Sequence, residues 1–323
     1  MVRGLIGLTS PAGRRGRLSV LVLHRVLPGP DPLYQEAIDA DRFDHMCSWL
    51  RSMFNVLPLD AAARGLVAGT LPSRALAITF DDGYADNLTV ALPILQRHGL
   101  TATFFITTGF VGGGRMWNDT VIEAVRRTPT PSLDLRDLLA SERATYSLDG
   151  PTQRRAAIES IIGMAKYLAP DERARVVAAI AERAGEPLPT DLMMTADQVV
   201  QMRRAGMQVG AHTVTHPILA KLDDRAAWRE MDDSKRYLET LLGERVGLFA
   251  YPNGKPGEDY TAHSVAIARD VGFDSAVSTA WGAAHRGTSP YEIPRFTPWD
   301  RTRLRFGARM ARNLWVSRER RAN

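Results

Sequence analysis

Short apolar runs alternate along this chain with segments in which apolar residues recur at helical spacing. The apolar runs predict strands over residues 18–23, 76–80, 102–107, 207–211, 246–251 and 273–278. The segments between them predict helices over residues 43–53, 86–98, 195–204, 224–242 and 260–271. Such alternation is typical of βαβ units, so we expect an α/β fold built on a parallel sheet or barrel.

Residues 112–190 interrupt this alternation. Helical patterns occur there, for example at Ile158, Ile161 and Ala165, without a convincing strand. Three consecutive glycines at positions 112–114 can serve as a hinge at the start of the segment. We therefore predict a helical insertion over residues 112–190.

The composition excludes a disordered or fibrous protein. The chain has 323 residues, of which 45% are hydrophobic and 24% are charged. At this length, one large α/β domain and two ordinary domains both remain open. Cys47 is the only cysteine, which excludes an intrachain disulfide and favours a reducing compartment.

Neither a membrane span nor a secretion signal is expected. No run approaches the roughly 20 apolar residues that a transmembrane helix needs. The run at 18–23 is too brief for a signal peptide and is followed at once by His24 and Arg25. We predict a cytoplasmic protein without a signal peptide or transmembrane helix.

Two adjacent carboxylates, Asp81 and Asp82, follow the predicted strand 76–80 and precede Gly83. Buried carboxylates without partners would be driven to take up protons, so a cation is expected beside them. The alternative is a solvated turn in which an aspartate caps the following helix.

Two histidines, His212 and His216, follow another predicted strand, 207–211. Side chains four residues apart share one face of a helical turn, and Zn²⁺ accepts histidine and carboxylate ligands. Taken alone, such a pair is more often incidental than metal-binding. The carboxyl ends of parallel barrel strands share one face, which favours a site formed with Asp81 and Asp82.

Three motifs in this order resemble the polysaccharide deacetylase family, which is carbohydrate esterase family 4 with its NodB-homology domain. They are TFDDG at 79–83, HTVTH at 212–216 and YPNG at 251–254. The resemblance implies a distorted (β/α)₇-type barrel over residues 18–297 that includes the helical insertion. It also implies a divalent metal, most often Zn²⁺, and removal of N-acetyl groups from amino-sugar glycans.

The resemblance implies roles for individual residues. Asp81 matches the general base, and the metal ligands are matched by Asp82, His212 and His216. A backbone N–H at Asn253 would hold the oxyanion. Tyr251 of the same motif and Trp117 at the start of the insertion are further candidates for substrate contacts.

The chain departs from the family pattern at two points. The Leu-x-His motif near the end of the domain, which supplies the acid in many members, is missing, but Leu-Val-Leu-His ends at His24. This resembles a rearranged branch of the family in which the acid comes first, so we predict that His24 is the general acid. Ala250 stands where the family commonly has arginine, and Arg295 is a candidate replacement that would hold Asp81.

The tail, residues 298–323, is basic and amphipathic. Drawn as a helix over 303–316, it has an apolar stripe of Leu304, Ala308, Ala311 and Trp315, with Met310 and Leu314 beside it. A basic side consists of Arg305, Arg309 and Arg312. Such a helix can lie on an anionic membrane or dock on the barrel with its arginines in water, and the sequence favours neither. No nucleic-acid-binding module accompanies the arginines, so no nucleic-acid partner is expected.

These features predict a metal-dependent enzyme that removes acetyl groups from N-acetylated amino sugars. Without a secretion signal, the substrate would be a lipid-linked glycan precursor at the inner face of the cytoplasmic membrane or another accessible polysaccharide. Two alternatives stay open: a hydrolase of small cyclic amides or imides on the same barrel, and an inactive glycan-binding relative.

Overall fold

The computed structural model describes residues 2–139, 144–315 and 321–322. Two compact units are present. The first consists of Met1–Gly29, Ile38–Val111 and Met194–Asn323. The second consists of Pro30–Ala37 and Gly112–Met193.

The first unit contains a seven-stranded parallel sheet. Its strands are β1 (Leu18–Leu23), β2 (Asn55–Val56), β3 (Ala75–Phe80), β4 (Thr103–Ile106), β7 (Gln208–Ala211), β8 (Leu248–Ala250) and β9 (Ser275–Val277). The order is β1-β3-β4-β7-β8-β9, with β2 paired to the start of β3. Every residue of β1 and β3 is buried, as expected for parallel strands covered on both faces.

An irregular segment closes the sheet between its two ends. Ile293 bridges to Val277 of β9, and Phe296 bridges to Leu21 of β1. Backbone hydrogen bonds from Ser278 to Ile293 (2.9 Å) and from Val22 to Phe296 (3.1 Å) hold it on both sides. The fold is therefore the predicted distorted (β/α)₇-type barrel, with residues 293–296 as the closing segment.

Eight helices of the first unit are described. They are α1 (Val2–Thr9), α2 (Ala40–Met53), α3 (Leu59–Ala68), α4 (Leu92–Arg97), α9 (Ala196–Arg204), α10 (Asp224–Leu242), α11 (Ala262–Asp270) and α12 (Arg303–Trp315). Local signals set several ends: Asp39 and Asp223 cap α2 and α10, and Gly243 ends α10 in the left-handed conformation. None of the helices in the described ranges is both long and apolar enough to cross a membrane.

The second unit contains α5 (Trp117–Arg127), α6 (Arg136–Leu139), α7 (Pro151–Ala165) and α8 (Pro170–Arg183). It also has a short antiparallel pair, β5 (Ser132–Asp134) and β6 (Thr145–Ser147), which the sequence pattern did not predict. Strands of three residues are too short to show a period of two. Asp31 of the 30–37 segment is held by two hydrogen bonds from Arg126 of α5.

The structure differs from the sequence prediction at two helices of the first unit. The predicted helix 86–98 begins as a π-turn over Asn87–Ala91 before α4, because Pro93 in the first turn of α4 cannot donate to the preceding turn. The apolar face predicted for α12 is correct at Ala311, Met310 and Leu314, which are buried, and wrong at Leu304 and Trp315. Leu304 and Trp315 are 72% and 70% exposed, whereas Phe306, Met310 and Leu314 are buried in the core.

Candidate metal centre and active site

The candidate site lies where four parallel strands end. Leu23 of β1 pairs with Phe80 of β3, and the N–H of Asp81 donates to the carbonyl of Leu23 (2.9 Å). His24, Asp81 and Asp82 therefore follow two strands that end level with each other. His212 follows β7, whose last residue pairs with both β4 and β8. Parallel pairing thus brings these distant motifs to one edge of the barrel.

Asp82, His212 and His216 form a candidate cation site. The Nε2 atoms of both histidines lie 3.5 Å from Oδ1 of Asp82. All three ligand atoms lie within 4.8 Å of one another. Ligands about 2.0–2.2 Å from a tetrahedral Zn²⁺ stand roughly 3.4 Å apart, so the observed spacing suits such an ion.

Two observations on the donor atoms fit a divalent cation. Oδ1 of Asp82 is buried, and no group of the described residues hydrogen-bonds to it. Nδ1 of His212 lies 2.7 Å from the carbonyl oxygen of Ala250, so this nitrogen carries the proton. The lone pair of Nε2 is then left for a metal, with Ala250 as the outer support that oriented histidine ligands generally have.

The pKa values of the three candidate ligands are set by their burial and by the neighbouring charged groups. Burial alone would raise the pKa of Asp82, but His212 and His216 outweigh it and hold the pKa below its ordinary value. Burial lowers the pKa of His216 to about 4, which keeps this imidazole neutral, as a ligand must be. At His212, the carboxylates of Asp81 and Asp82 outweigh burial and raise the pKa. The site therefore attracts positive charge.

Backbone strain is concentrated in the same loops. Five non-glycine residues of the described chain have positive φ, and four of these belong to the site motifs. They are Asp82 (76°), Thr213 (64°), His216 (57°) and Asn253 (58°). Such strain persists only where the surroundings hold it, and it is typical of functional sites.

Glu230 of α10 supports the histidine loop. Its carboxylate accepts hydrogen bonds from the N–H groups of Val214 (2.8 Å) and Thr215 (2.9 Å) and from the Thr215 hydroxyl (2.7 Å). Sequence reasoning missed this residue, because it lies outside the motif and only folding brings it to the loop.

Arg295, on the closing segment, is paired with Asp81. Its two terminal nitrogens each lie 2.7 Å from one oxygen of Asp81. The guanidinium is fully buried and also donates to the Ser278 carbonyl (3.0 Å) and the Thr79 hydroxyl (3.0 Å). Burial alone would raise the pKa of Asp81, but the charge and hydrogen bonds of Arg295 help to lower it.

His24 is exposed at the same edge. Its backbone carbonyl accepts a hydrogen bond from Nδ2 of Asn87 (2.8 Å). A positive charge on the His24 imidazole contributes to lowering the pKa values of Asp81 and Asp82. The next residue, Arg25, forms an ion pair with the buried Asp86 (2.7 Å). Asn87 and Asp86 thus fix the backbone from which His24 projects.

The remaining candidates differ in placement. Asn253 is partly exposed, and its backbone N–H has no acceptor among the described residues, while its carbonyl is held by the Thr279 hydroxyl (2.7 Å). Tyr251 is fully buried, with its ring stacked on Tyr260 at 4.0 Å. Trp117 belongs to the second unit, where the guanidinium of Arg173 lies 5.0 Å from the centre of its ring. Substrate contacts by Tyr251 and Trp117 stay predictions.

Fold and site together define an α/β barrel with a candidate Asp/His/His cation site beside a second carboxylate. Residues 68–131 and 165–276, more than half of the chain, match the model of the polysaccharide deacetylase family, and the chain belongs to that family. This places it among hydrolases of acetylated glycans. The matched ranges contain Asp81, Asp82 and both histidines, but neither His24 nor Arg295.

Individual relatives agree with this assignment. YxkH of Bacillus subtilis strain 168, a candidate polysaccharide deacetylase, is 21% identical over 281 residues, which are 86% of this chain and 70% of YxkH. The structure of IcaB from Ammonifex degensii aligns with a TM-score of 0.60 at 20% identity, over 94% of this chain and 98% of IcaB. The Streptococcus pyogenes deacetylase PplD, solved with acetate, aligns with a TM-score of 0.57 at 20% identity, over 87% of this chain and 92% of PplD. The structural likenesses support the fold.

Proposed function

We propose that this protein is a metal-dependent de-N-acetylase of amino sugars, acting on a polysaccharide or a lipid-linked glycan precursor. One observation carries the proposal: the Asp82, His212 and His216 ligand atoms converge beside Asp81, a carboxylate that lies next to the site without belonging to the ligand set. Zn²⁺ is the metal that this donor set suits best.

The residues divide the chemistry between them. A cation held by Asp82, His212 and His216 would acidify a water molecule and polarise the acetyl carbonyl. Asp81 would accept the proton of the attacking water, because Arg295 keeps the carboxylate ionised while its oxygens retain unused lone pairs. The N–H of Asn253 would donate to the developing oxyanion.

Cleavage of the C–N bond requires one more proton. His24 would donate it to the departing nitrogen, since this exposed side chain follows the strand next to that of Asp81. Water supplies the new C–O bond, and the products are acetate and a free amino sugar.

Two observations argue against the alternatives. A cyclic-amide hydrolase would fit a chain in which the base lacks its arginine partner, but Arg295 pairs with Asp81 here, although Ala250 stands at the usual arginine position. An inactive relative would need no ordered ligand set, whereas Ala250 orients His212 here.

The test measures metal content and acetate release from N-acetylated polymers, short oligosaccharides and lipid-linked sugars. The wild-type protein should hold about one divalent cation per chain. His212→Ala should lose the cation and the activity together, whereas Asp81→Asn should keep the cation and lose turnover. His263→Ala, which changes a largely exposed histidine, should alter neither. Retained acetate release in Asp81→Asn would refute the assignment of the base.

A lipid-linked substrate would bring the enzyme to the inner face of an anionic membrane. Exposure of Leu304 and Trp315 on α12, and of Leu5 and Leu8 on α1, supports a surface contact there, because these two helices pack together. Flotation with vesicles should recover less Leu304→Ser/Trp315→Ser than wild type. Equal recovery of the two proteins with the vesicles would refute the membrane contact and would not affect the deacetylase assignment.

A further inference from the structure

A cavity of about 870 Å³ adjoins the carboxyl edge of the barrel. Its wall includes Thr279, Ala280, Trp281 and Phe296. The Thr279 hydroxyl donates a hydrogen bond to the Asn253 carbonyl, and the carbonyl of Ala280 accepts a hydrogen bond from the backbone N–H of Arg295. The cavity therefore shares a wall with the backbone that carries two candidate site residues.

A second cavity, of about 650 Å³, continues along α12. Arg309 and Arg312 line both cavities, so the two cavities adjoin along α12, and together we call them the α12 groove. The second cavity is further lined by Trp299, Asp300, Arg301, Arg305 and Ala308. Arginine is thus the dominant charged residue of the groove.

The arginines of the groove differ in their partners. Arg309 pairs with Asp300 through two hydrogen bonds, of 2.5 and 3.1 Å, and its guanidinium lies 4.2 Å from the centre of the Trp299 ring. Its charge is therefore largely balanced. Arg305 and Arg312 are exposed, and neither has a carboxylate partner within the part of the chain that the structure describes.

These two residues share one face of α12. They are seven positions apart, which is about two turns or roughly 10 Å along the axis, and both line the 650 Å³ cavity. Guanidinium groups on such a face can converge on one anion from two sides.

Two tryptophans extend the groove towards the barrel edge. The rings of Trp281 and Trp299 lie 5.3 Å apart, and their side chains are 49% and 45% exposed. Large, half-exposed aromatic rings in a concave site are typical contact surfaces for a ligand with an apolar face, such as a pyranose ring.

We propose that the α12 groove binds a phosphate or pyrophosphate group carried by the glycan substrate. Arg305 and Arg312 hold the phosphate oxygens, and Trp281 and Trp299 contact the neighbouring sugar. The binding site stands on the groove itself; only the acetylated nature of the sugar rests on the proposed function. The substrate class is thereby narrowed from N-acetylated glycans in general to phosphate-bearing ones.

The charge of the groove favours phosphate over a uronic acid. Lys255 and Glu258, which also line the larger cavity, offset each other at 3.5 Å, and Asp300 offsets Arg309. Arg301, the other arginine of the lining, has an interaction of its own, so Arg305 and Arg312 are the two guanidinium groups without a carboxylate partner among the described lining residues. They match the double charge of a phosphate monoester or a pyrophosphate better than the single charge of a carboxylate.

Calorimetric binding to the full chain tests this site without relying on turnover. The probes are N-acetylglucosamine 1-phosphate, inorganic pyrophosphate, the methyl glycoside of N-acetylglucosamine, and glucuronate. Arg305→Gln/Arg312→Gln removes the two free charges of the groove. Arg204→Gln/Arg225→Gln removes two exposed charges from α9 and α10, which line neither cavity. Both double variants keep the metal ligands, so phosphate bound to the cation would not distinguish them.

Wild type should bind the sugar phosphate at least roughly tenfold more tightly than the methyl glycoside, and added salt should weaken the difference. The groove variant should lose this preference and the control variant should keep it. With the same substrate pair, the groove variant should raise the KM for acetate release from the sugar phosphate and leave kcat unchanged.

Other results would overturn the site. Equal affinity for the sugar phosphate and the methyl glycoside, or for the sugar phosphate and glucuronate, would refute a phosphate-binding site in the α12 groove. Vesicles containing phosphatidylglycerol that bind wild type through Arg305 and Arg312, with no binding of sugar phosphate, would assign the arginines to a membrane. Phosphate-dependent binding without acetate release from any substrate would support the groove and refute the deacetylase function instead.

Discussion

Arg295 and Asp81, 214 positions apart in the sequence, form a fully buried ion pair in which both carboxylate oxygens are held at 2.7 Å. The arginine reaches the site from the segment that closes the barrel between β9 and β1. At the position on β8 where the family commonly has arginine, Ala250 instead contributes its carbonyl to His212. The same segment therefore closes the barrel and supplies the arginine that pairs with Asp81 in the candidate active site.

Arg295→Met should destabilise the protein strongly. Removing one partner of a buried ion pair leaves an uncompensated charge, at a cost of about 3–5 kcal/mol in the free energy of unfolding. In Asp81→Asn/Arg295→Met both charges are gone, so the loss should be smaller than the sum of the two single losses. Urea denaturation of the four proteins measures this coupling, with Arg204→Met as the control on an exposed helix. Additive losses would mean that the pair contributes no coupling.

His24→Gln should lower kcat for deacetylation of an amino sugar by roughly 10²–10⁴-fold, because the departing amine then lacks its proton donor. Metal content and KM should change little. Hydrolysis of 4-nitrophenyl acetate should be much less affected, since that leaving group departs without protonation. His45→Gln, on the exposed side of α2, is the matched control. An equal loss with both substrates would show that His24 acts on the site's structure and not as the acid.

The site motifs that could be predicted from the sequence are those that directly follow strands of the parallel sheet. Asp81, Asp82 and His212 follow predicted strands directly, and the carboxyl ends of such strands meet at one edge. Arg295 could be suspected from the sequence, but its pairing depends on closure of the barrel. Glu230 could not be found, because its three hydrogen bonds join α10 to a loop outside it.

The buried face of α12 could not be fully predicted from the sequence, for a different reason. Leu304, Ala308, Ala311 and Trp315 have helical spacing, but so do Phe306, Met310 and Leu314. Both sets can form an apolar stripe, and spacing alone cannot tell which one is buried. Packing against α1 and α2 buries the second set together with Ala311 of the first. This leaves Leu304 and Trp315 exposed on the surface that also carries Arg305 and Arg312.

Glu230→Ala should weaken metal binding by roughly 10–100-fold, since supports outside the ligand shell typically contribute that much. The mutation frees three donors of the loop in which His212 and His216 lie. Glu230→Gln keeps an acceptor oxygen and should restore most of the affinity. Competition with a metal-binding dye measures the constants, and Asp233→Ala, exposed on the same helix, is the control. Equal affinity in wild type and Glu230→Ala would exclude a positioning role.

Asp31→Asn should lower the stability of the protein at neutral pH and much less in acid. Burial alone would raise the pKa of Asp31, but hydrogen bonds from Arg126 and from the N–H groups of Leu33 and Tyr34 lower it below the ordinary value. The unfolded chain then binds this proton more readily than the folded one. The stabilisation is accordingly complete above about pH 4 and is lost as the pH falls through the folded-state pKa. The free energies of unfolding from urea titrations should differ by roughly 1 kcal/mol between wild type and Asp31→Asn at pH 7, and the difference should shrink progressively as the pH falls below about 4, with the exposed Asp149→Asn unchanged throughout. A difference that stays constant with pH would show that the side chain acts through packing instead of charge.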